Sequence, residues 1–257
     1  MAVYQNDFTI EHKSDGSPLT TADLAAQDII EKSLSTLEPA YPIVSEEASP
    51  MAWDQRRERS RYWLVDPLAG TCHFARRDGE FSVNIALIDR HRSVLGVVLA
   101  PITGQLFVAA QGRGAWRQLT EGSPWERLST QALAHPARVM VNRSYDDARE
   151  GVLRRLVGGD YRKQLLGSSL KSCLIAAGEA DLYLRFGATS QWDTAASQCV
   201  LEEAGGVMLD MAAGNPLSYN RSASLLNSEF IAAGDKSVDW MGKLHSTDLA
   251  YSPAKVP

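Results

Sequence analysis

No short stretch restricts the possible folds more than WLVDPLAGTCHF, residues 63–74. Three hydrophobic residues lead into Asp66, and Gly70 and Thr71 precede a new segment, which predicts a buried strand, a turn and the start of a helix. Such a turn presents free backbone N–H groups that bind an anion, and a carboxylate at the strand end can hold a cation beside it. Ala69, in the middle of the loop, offers neither charge nor a side-chain hydrogen bond, so its presence needs an explanation.

The composition places the chain among ordinary globular proteins. It has 257 residues, of which 44% are hydrophobic and 22% charged, and these proportions exclude the disordered and fibrous classes. No apolar run approaches the roughly 20 residues of a membrane span, and the first residues lack a basic start followed by an apolar core. We therefore expect neither a transmembrane segment nor a secretory signal.

Charge and cysteine content narrow the function classes further. A net charge of -5 argues against nucleic-acid binding, because proteins that follow a phosphate backbone concentrate Lys and Arg on one face. The one local basic run, residues 56–61, is interpreted as a solvated surface loop. Cys72, Cys173 and Cys199 are an odd number without paired spacing, which predicts free thiols and a reducing, cytoplasmic location.

The N-terminal half, residues 1–130, combines one long helix with several strands and is predicted to be an α+β unit. Residues 20–37 predict an amphipathic helix after a capping turn at Ser17 and Pro18. The expected apolar stripe of this helix is Leu24, Ile29, Ile30, Leu34 and Leu37. A short strand at 42–45, an antiparallel pair formed by FSVNIALID and SVLGVVLAP, and a strand with a glycine turn in GQLFVAAQGRGAW follow.

Strands alternate with helices in the C-terminal half, residues 131–257. ARVMVNRS predicts a strand, residues 152–156 a helix, residues 165–184 a turn, helix and strand, and residues 189–206 a turn and a helix that ends at paired glycines. This alternation predicts an α/β layer arrangement. The final segment, DLAYSPAKVP, is expected to be a loose tail.

Acidic residues stand at the ends of several predicted elements. They are Asp23, Glu46, Glu47, Asp66 and Asp193. Each alone has an ordinary explanation, since Asp at a helix start is most often a cap and a Glu pair is most often solvated. Together with the Gly70–Thr71 turn they suggest a site for a hard cation. Because no Cys or His stands nearby at a ligand spacing, the pattern favours Mg²⁺ over Zn²⁺.

These motifs resemble a family of Mg²⁺-dependent, lithium-sensitive phosphatases that includes inositol monophosphatase and the 3′(2′),5′-bisphosphate nucleotidases. The pattern W-x-V-D-P-[IL]-D-G-T-x-x-F matches residues 63–74 except at Ala69, and W-D-x-A-[AG] matches residues 192–196. The resemblance extends from about Asp15 to Ala232. GEFSVNIALI, GSSLK and RFGATSQWDTAA look most like the bacterial nucleotidase branch, which acts on 3′-phosphoadenosine 5′-phosphate. It implies a layered α/β/α/β/α sandwich of the sugar-phosphatase type.

The resemblance implies a site for two or three Mg²⁺ ions and a two-metal hydrolysis mechanism. The implied metal ligands are Glu46, Asp66, the Leu68 carbonyl and Asp193, with Ala69 at the position of a lost aspartate ligand and Glu47 in an unassigned role. Thr71 and Asp23, with Glu46, would position and deprotonate the attacking water. The backbone N–H groups of Gly70 and Thr71 would hold the transferred phosphate.

Four further residues are candidates for reading the rest of the substrate. They are Ser168, Ser169, Lys171 and Arg185, whose hydroxyls and cations suit a second phosphate or a nucleoside. The alternative is that the two serines cap the following helix and that Lys171 lies on its exposed face.

Ala69 has no oxygen with which to replace an aspartate ligand, so we expect impaired catalysis without loss of the fold. Two origins fit this residue, a deliberate replacement or a natural relative that has lost activity. The otherwise intact motif favours replacement. Cys72–His73, in place of a basic residue and Glu, and Ser197, in place of a glycine, keep the natural origin open, as does the expectation that most of the family's long first helix is missing.

The expected activity is removal of the 3′-phosphate from 3′-phosphoadenosine 5′-phosphate, a small-molecule nucleotide bisphosphate. An inositol or sugar monophosphatase and a non-catalytic nucleotide-binding relative remain as alternatives. Cys72 is not expected to be a nucleophile, because a cysteine phosphatase needs Arg as the sixth residue after Cys and Asp78 stands there. The sequence is compatible with a homodimer and does not determine the oligomeric state.

Overall fold

The computed structural model describes residues 1–6, 8–13, 16, 18–142 and 150–246. Predictions made for Asp15, Ser17, Arg143, Ser144 and the tail at 248–257 lie outside these residues. The helices are α1 Ala2–Gln5, α2 Thr21–Leu34, α3 Trp53–Arg56, α4 Thr71–Arg76, α5 Glu150–Val157, α6 Leu170–Ala176, α7 Gln191–Glu203 and α8 Trp240–His245.

Most strands form two large sheets, one in each half of the chain. The first contains β3 Ile43–Ser45, β4 Arg61–Ala69, β5 Ser82–Asp89, β6 Arg92–Ala100, β7 Gln105–Ala110, β8 Gly114–Gln118 and β9 Trp125–Arg127, in that order. The second contains β10 Ala137–Val141, β11 Tyr161–Leu165, β12 Leu182–Arg185, β14 Val207–Asp210 and β16 Phe230–Ala233. Two small pairs complete the set, β1 Ile10–His12 with β2 Pro18–Thr20 and β13 Thr189–Ser190 with β15 Leu226–Asn227.

Strand direction differs between the two sheets. In the first sheet β3 and β4 are parallel and the remaining neighbours are antiparallel. The second sheet has the order β11-β10-β12-β16-β14, with a parallel part at β11-β10-β12 and an antiparallel part at β12-β16-β14. The predicted β5–β6 pair and the strand at β10 are therefore confirmed. Strands β11, β14 and β16 were not predicted, because short strands without clear alternation leave little signal.

Helices cover both faces of both sheets. Helix α2 packs on one face of the first sheet through Ile30 and Leu34 against Trp63 and Val65. Helices α6 and α7 lie between the two sheets in the largest core cluster, and α5 and α8 cover the outer face of the second sheet. The order of the layers is α/β/α/β/α, as the family resemblance implied. The central cluster draws on both chain halves, and the division at residue 130 stays a prediction.

Helix α2 buries fewer apolar residues than its sequence predicted. Leu24 and Ile29 are 50% and 67% exposed. The buried stripe instead runs through Asp23, Gln27, Ile30 and Leu34. These residues are three or four apart, so they share one helix face. Two polar residues occupy this face because both have buried partners, and Gln27 accepts a 2.5 Å hydrogen bond from Ser45. Leu37, also expected in the stripe, lies beyond the helix and is 45% exposed.

The basic run at 56–61 is only partly a solvated loop. Arg56 is buried, and it donates hydrogen bonds of 2.7 Å to the side-chain oxygen of Asn220 and to the Ala223 carbonyl. It thereby joins α3 to a loop of the other chain half. Arg61 pairs with Asp89 at 2.8 Å on the surface.

One glycine sets the position of α7 on the first sheet. A β-carbon at Gly96, in β6, would overlap the carbonyl oxygen of Ala196 in α7. The helix backbone therefore rests directly on the strand, an approach that only glycine permits. Ser197, the departure from the family pattern on this helix, is buried and bonds the Thr194 carbonyl at 3.1 Å.

The three cysteines are free thiols, as predicted, with Cys72 exposed and Cys173 and Cys199 buried. Within the described part of the chain, no helix combines the length and apolar character needed to cross a bilayer.

Candidate active site

Three carboxylates from distant parts of the sequence converge at the edge of the first sheet. Glu46 follows β3, Asp66 lies in the parallel neighbour β4, and Asp193 is the third residue of α7. Ser45 is in register with Val65, and the Glu46 N–H donates to the Val65 carbonyl at 3.2 Å, so Glu46 stands beside Asp66. One carboxylate oxygen of each residue lies within 4.8 Å of the other two.

The loop after Asp66 is a strand with an irregularity, where the sequence predicted a turn at Asp66. Strand β4 continues to Ala69, and its register with β5 shifts between Asp66 and Ala69. Pro67 has no N–H for the ladder, which favours such a bulge. The Leu68 N–H turns inward and donates to an Asp66 carboxylate oxygen at 3.0 Å.

Burial and like charge oppose ionisation of the carboxylates in this cluster. Burial, followed by the charges of Glu46 and Asp193, raises the pKa of Asp66 well above its usual value. Burial, followed by the charge of Glu46, raises the pKa of Asp193 to about 6. The second carboxylate oxygen of Asp66 is buried and has no hydrogen-bond partner among the described residues. A set of oxygen acceptors with one buried member, Asp66, and two half-buried members fits an oxygen-preferring cation.

Thr71 and Asp23 lie together, as the family resemblance implied. The Thr71 hydroxyl is 3.2 Å from a carboxylate oxygen of Asp23 and 3.2 Å from the Leu68 carbonyl. The other Asp23 oxygen accepts hydrogen bonds from the Thr20 N–H and hydroxyl, forming the capping box of α2. Asp23 is thus both a helix cap and a partner of Thr71.

Gly70 turns the chain from β4 into α4. Its φ of 96° lies in the left-handed region, which favours glycine, and it is the N-cap of α4. The His73 and Phe74 N–H groups bond the Gly70 carbonyl, at 2.8 and 3.0 Å. The N–H groups of the first helical residues have no partner within the helix, as at any helix start.

Ala69 lies at the wall of a cavity of about 610 Å³. It is the last residue of β4, paired with Ser82, and only 6% exposed. The cavity wall also includes Gly70, Asp193 and the predicted substrate residues Ser168, Ser169, Lys171 and Arg185. A methyl group therefore stands where the family pattern has a carboxylate.

Lys171 does not lie on an exposed helix face, so that alternative is wrong. It is 3% exposed and donates to the carbonyls of Leu166 and Ser168 at 3.2 and 2.7 Å. Its ammonium lies 4.9 Å from the centre of the Tyr183 ring. Burial, followed by the charge of Arg185, lowers the pKa of Lys171 to about 7.

The two serines and Arg185 have different surroundings. Ser169 is the N-cap residue of α6 but makes no side-chain cap bond. Its hydroxyl instead bonds the Asn84 side-chain oxygen at 2.6 Å and the Ser82 hydroxyl at 2.9 Å. The Ser168 hydroxyl is 3.5 Å from the Leu170 N–H, a weak cap. Arg185 donates to the Ala188 carbonyl at 3.2 Å.

Comparison with known proteins identifies the family to which this chain belongs. Residues 1–245 match the model of the inositol monophosphatase family. The chain belongs to the inositol monophosphatase family. It is 45% identical over 233 residues to the 3′(2′),5′-bisphosphate nucleotidase CysQ of Escherichia coli K12, covering 90% of this chain and 92% of that one. The CysQ nucleotidase of Haemophilus influenzae is 33% identical over 240 residues, covering 92% and 88%.

Solved structures of the inositol monophosphatase family have the same fold. The crystal structure of CysQ from Bacteroides thetaiotaomicron, a bacterial member of the family, superposes with a TM-score of 0.78 at 32% identity, covering 91% of this chain and 90% of that one. An inositol monophosphatase from Thermotoga maritima gives 0.73 at 24% identity over 92% and 87% of the chains, which shows the fold alone.

Sequence reasoning did not identify Lys13, a residue that contacts the acidic pair Glu46–Glu47. Its ammonium lies 2.8 Å from Glu46 and 2.6 Å from Glu47. Burial lowers the pKa of Lys13, but the hydrogen bonds with both carboxylates outweigh it, and the pKa is raised. Burial raises the pKa of Glu47. A lysine beside a loop carries no local signal of a contact 33 residues away.

A second cluster lies where this family member departs from the nucleotidase pattern. His73 bonds Asp78 at 2.7 Å and lies 3.8 Å from Glu80. Glu80 also accepts a 2.8 Å hydrogen bond from the Gly167 N–H. These contacts join α4 to the loop before α6, and a structural role accounts for them.

Proposed function

We propose that this chain is a nucleotidase-type phosphomonoesterase that acts on 3′-phosphoadenosine 5′-phosphate with Mg²⁺ as the cofactor. We propose further that Ala69 impairs its catalysis. One observation carries the proposal. The charged residues of the cavity wall are one carboxylate, Asp193, and three basic residues, Arg76, Lys171 and Arg185. Within the described residues none of these basic side chains forms an ion pair. A cavity of this kind fits a ligand with several negative charges, such as a bisphosphate, better than an inositol monophosphate.

The ligand atoms of the carboxylate cluster support Mg²⁺ as the bound cation. Glu46, Asp66 and Asp193 supply only oxygen, and the unpartnered buried oxygen of Asp66 is an acceptor that a cation would satisfy. The Leu68 carbonyl belongs to the same bulged strand. A bound Mg²⁺ would lower the pKa of the attacking water and stabilise charge on the leaving oxygen. The family's solved structures include one complexed with Mg²⁺ and phosphate.

The residues around this set have separate roles in the proposal. Thr71, bonded to Asp23, would accept a proton from the attacking water and pass one to the Asp23 carboxylate, with Glu46 orienting the same water. The N–H groups at Gly70 and Thr71 would hold the phosphate that is transferred. Lys171 and Arg185 would face the remainder of the nucleotide, with Ser168 beside them. Ser169 would act through Asn84, which its hydroxyl already bonds.

Ala69 removes charge stabilisation from this site. Asp66 and Asp193 remain available to a second ion, but with one carboxylate fewer its affinity falls. Losses of this kind weaken transition-state stabilisation more than the fold. The absence of a carboxylate at position 69 also reduces repulsion among the carboxylates of Glu46, Asp66 and Asp193.

The test is phosphate release from 3′-phosphoadenosine 5′-phosphate across a Mg²⁺ titration, for this chain and its Ala69→Asp and Ala69→Asn variants. We expect Ala69→Asp to raise kcat/KM on the order of 100-fold, because it restores a charged ligand. Ala69→Asn, which restores an oxygen without the charge, should recover little. Inositol 1-phosphate is the comparison substrate.

Two outcomes would overturn the proposal. A folded Ala69→Asp variant that releases no phosphate, while the parent chain still binds the nucleotide, would favour a non-catalytic nucleotide-binding relative. Preferential release from inositol 1-phosphate would favour a monophosphatase.

A further inference from the structure

We infer that Arg76 contacts the second, non-reacting phosphate of the substrate and is therefore a specificity-determining residue. The inference rests on the proposed function. It names which of the three basic residues in the cavity wall distinguishes a nucleotide bisphosphate from a monophosphate.

Arg76 and its neighbour Arg77 have opposite surroundings. The Arg77 guanidinium donates to the carbonyls of Tyr4 and Asn6 at 2.6 and 2.8 Å, and lies against the rings of Tyr4 and Phe8. Arg77 therefore holds the N-terminal segment. Arg76 lies in the cavity wall, is exposed, and has no hydrogen bond or ion pair with any described residue. Its guanidinium keeps all of its donors for a ligand.

Helix geometry directs Arg76 towards the proposed phosphate site. Cys72 and His73 precede Arg76 by four and three residues, so the three share one face of α4, and all three line the cavity. Phe74 points the other way, into a buried aromatic cluster. A long helical side chain leans towards the N-terminus of its helix. Arg76 is about 7.5 Å along the axis from Thr71, so this lean brings its charge back towards the Gly70–Thr71 end.

The covalent structure of the ligand fits this placement. The 3′ and 5′ oxygens of one ribose are separated by only three carbon atoms, so the second phosphate must lie close to the first. A guanidinium on the same short helix, projecting towards the reacting phosphate, is suitably placed to contact it. Arg also binds phosphate through two parallel N–H bonds, which a monophosphate at the helix start would leave unused.

The other two cations are less free. Two of the three ammonium donors of Lys171 bond carbonyls, and the group lies over Tyr183. Arg185 donates one guanidinium hydrogen bond to the Ala188 carbonyl, and its Nε is buried without a partner among the described residues. These contacts suit residues that shape the inner wall. A phosphate at the open rim needs an uncommitted donor, and Arg76 provides one.

The residues one turn earlier leave Arg76 unpaired. Cys72 has no carboxylate, and His73 is bonded to Asp78. A Glu at position 72 would stand four residues before Arg76, the favourable orientation for an ion pair on a helix. Cys72→Glu therefore engages Arg76 without altering it, and Cys72→Gln is its neutral counterpart. Cys72 is exposed, so neither change disturbs a core.

The experiment measures dissociation constants by calorimetry in Mg²⁺, with released phosphate checked after each titration. The ligands are adenosine 3′,5′-bisphosphate and adenosine 3′-monophosphate. We expect the intact chain to prefer the bisphosphate, and Arg76→Gln to reduce that preference about tenfold. Cys72→Glu should reduce it in the same direction, and Cys72→Gln should not. Arg113→Gln, an exposed arginine outside the cavity wall, is the control for charge.

Two other outcomes would contradict the inference, and they differ in whether the proposed function also fails. If Arg76→Gln weakens both ligands equally, or neither, Arg76 does not read the second phosphate, although the proposed function stands. If the intact, folded chain binds neither ligand, the proposed function fails and the inference fails with it.

Discussion

The carboxylate cluster of Glu46, Asp66 and Asp193 and the basic residues of the cavity wall carry opposite charges, and both groups differ from the charged pairs elsewhere in the molecule. Asp66 and Asp193 are carboxylates that form no ion pair with any described residue, and the same holds for Lys171 and Arg185 in the cavity wall. By contrast, Asp181, which is also buried, is closed by Arg138 at 2.6 Å and by the Arg138 N–H at 2.6 Å. A buried charge without a partner costs stability, and a closed pair largely offsets that cost. We therefore expect the partners of these charges to come from solution, a cation at the carboxylate cluster and an anion at the basic residues of the cavity wall.

The strongest test of this contrast neutralises one open and one closed carboxylate. We expect Asp66→Asn to lower Mg²⁺ affinity on the order of 100-fold, since a buried first ligand is lost. It should also raise the unfolding free energy of the metal-free protein by on the order of 1 kcal/mol at pH 7, because burial and like charges oppose ionisation of Asp66. Calorimetric Mg²⁺ titration and thermal unfolding in EDTA measure the two effects.

Asp181→Asn is the matched variant. It should leave Mg²⁺ affinity unchanged and lower the unfolding free energy by about 2 kcal/mol, because Arg138 loses its partner. Stability changes of the same sign in both variants would remove the distinction between open and closed carboxylates.

For the basic residues of the cavity wall, the test is the pH dependence of nucleotide binding. Burial lowers the pKa of Lys171 to about 7, and a bound phosphate would raise it again. Binding should therefore take up a proton above pH 7, and the affinity for adenosine 3′,5′-bisphosphate should fall as pH rises from about 7 towards the pKa of the bound state. Lys171→Met should lower the affinity about tenfold at pH 6.5 and flatten the profile. Calorimetry in buffers of different ionisation enthalpy measures the proton uptake.

Lys243→Met is the control, since Lys243 also donates to a carbonyl, Leu156, but lies outside the cavity wall. A pH profile that persists unchanged in Lys171→Met would assign the proton to another group.

The smallest expected effect concerns Lys13, the one cationic side chain among the described residues that forms an ion pair with the carboxylate cluster. Its ammonium pairs with Glu46 and Glu47, so a divalent ion at Glu46 must compete with it. We expect Lys13→Met to raise Mg²⁺ affinity by about threefold, a small change because the pair is partly solvated. Lys32→Met, which removes the exposed partner of Asp28, is the control. A loss of Mg²⁺ affinity in Lys13→Met would mean that Lys13 supports the ion instead of competing with it.

The parts of the site that are local in sequence could be predicted. Gly70 and Thr71 follow β4 directly, and Asp193 opens α7 with its own cap, so strand, turn and helix signals place them without knowledge of the fold. The convergence of Glu46 with Asp66 depends on parallel pairing of β3 with β4. Sequence reached that contact only through resemblance, because a three-residue strand has almost no pattern of its own.

The parts that depend on long-range packing could not be predicted. The buried partners of Arg56 come from residues 220–223, so a basic run gave no sign that one member is internal. The exposure of Leu24 and Ile29 has the same origin, since the buried face of α2 is chosen by what Asp23 and Gln27 meet. For Lys171 the sequence left open a substrate contact or an exposed helix face, and its burial could not be predicted because it depends on the elements that enclose α6.

The direct contact between the α7 backbone and Gly96 lets a strand residue affect carboxylates that it does not contact. Asp193 is carried at the start of this helix, while Asp66 is carried by the sheet. The distance between the two carboxylates therefore depends on how closely the helix backbone approaches β6. Gly96→Ala would place a methyl group at that contact, and we expect it to displace the helix and so to change the distance between the two carboxylates.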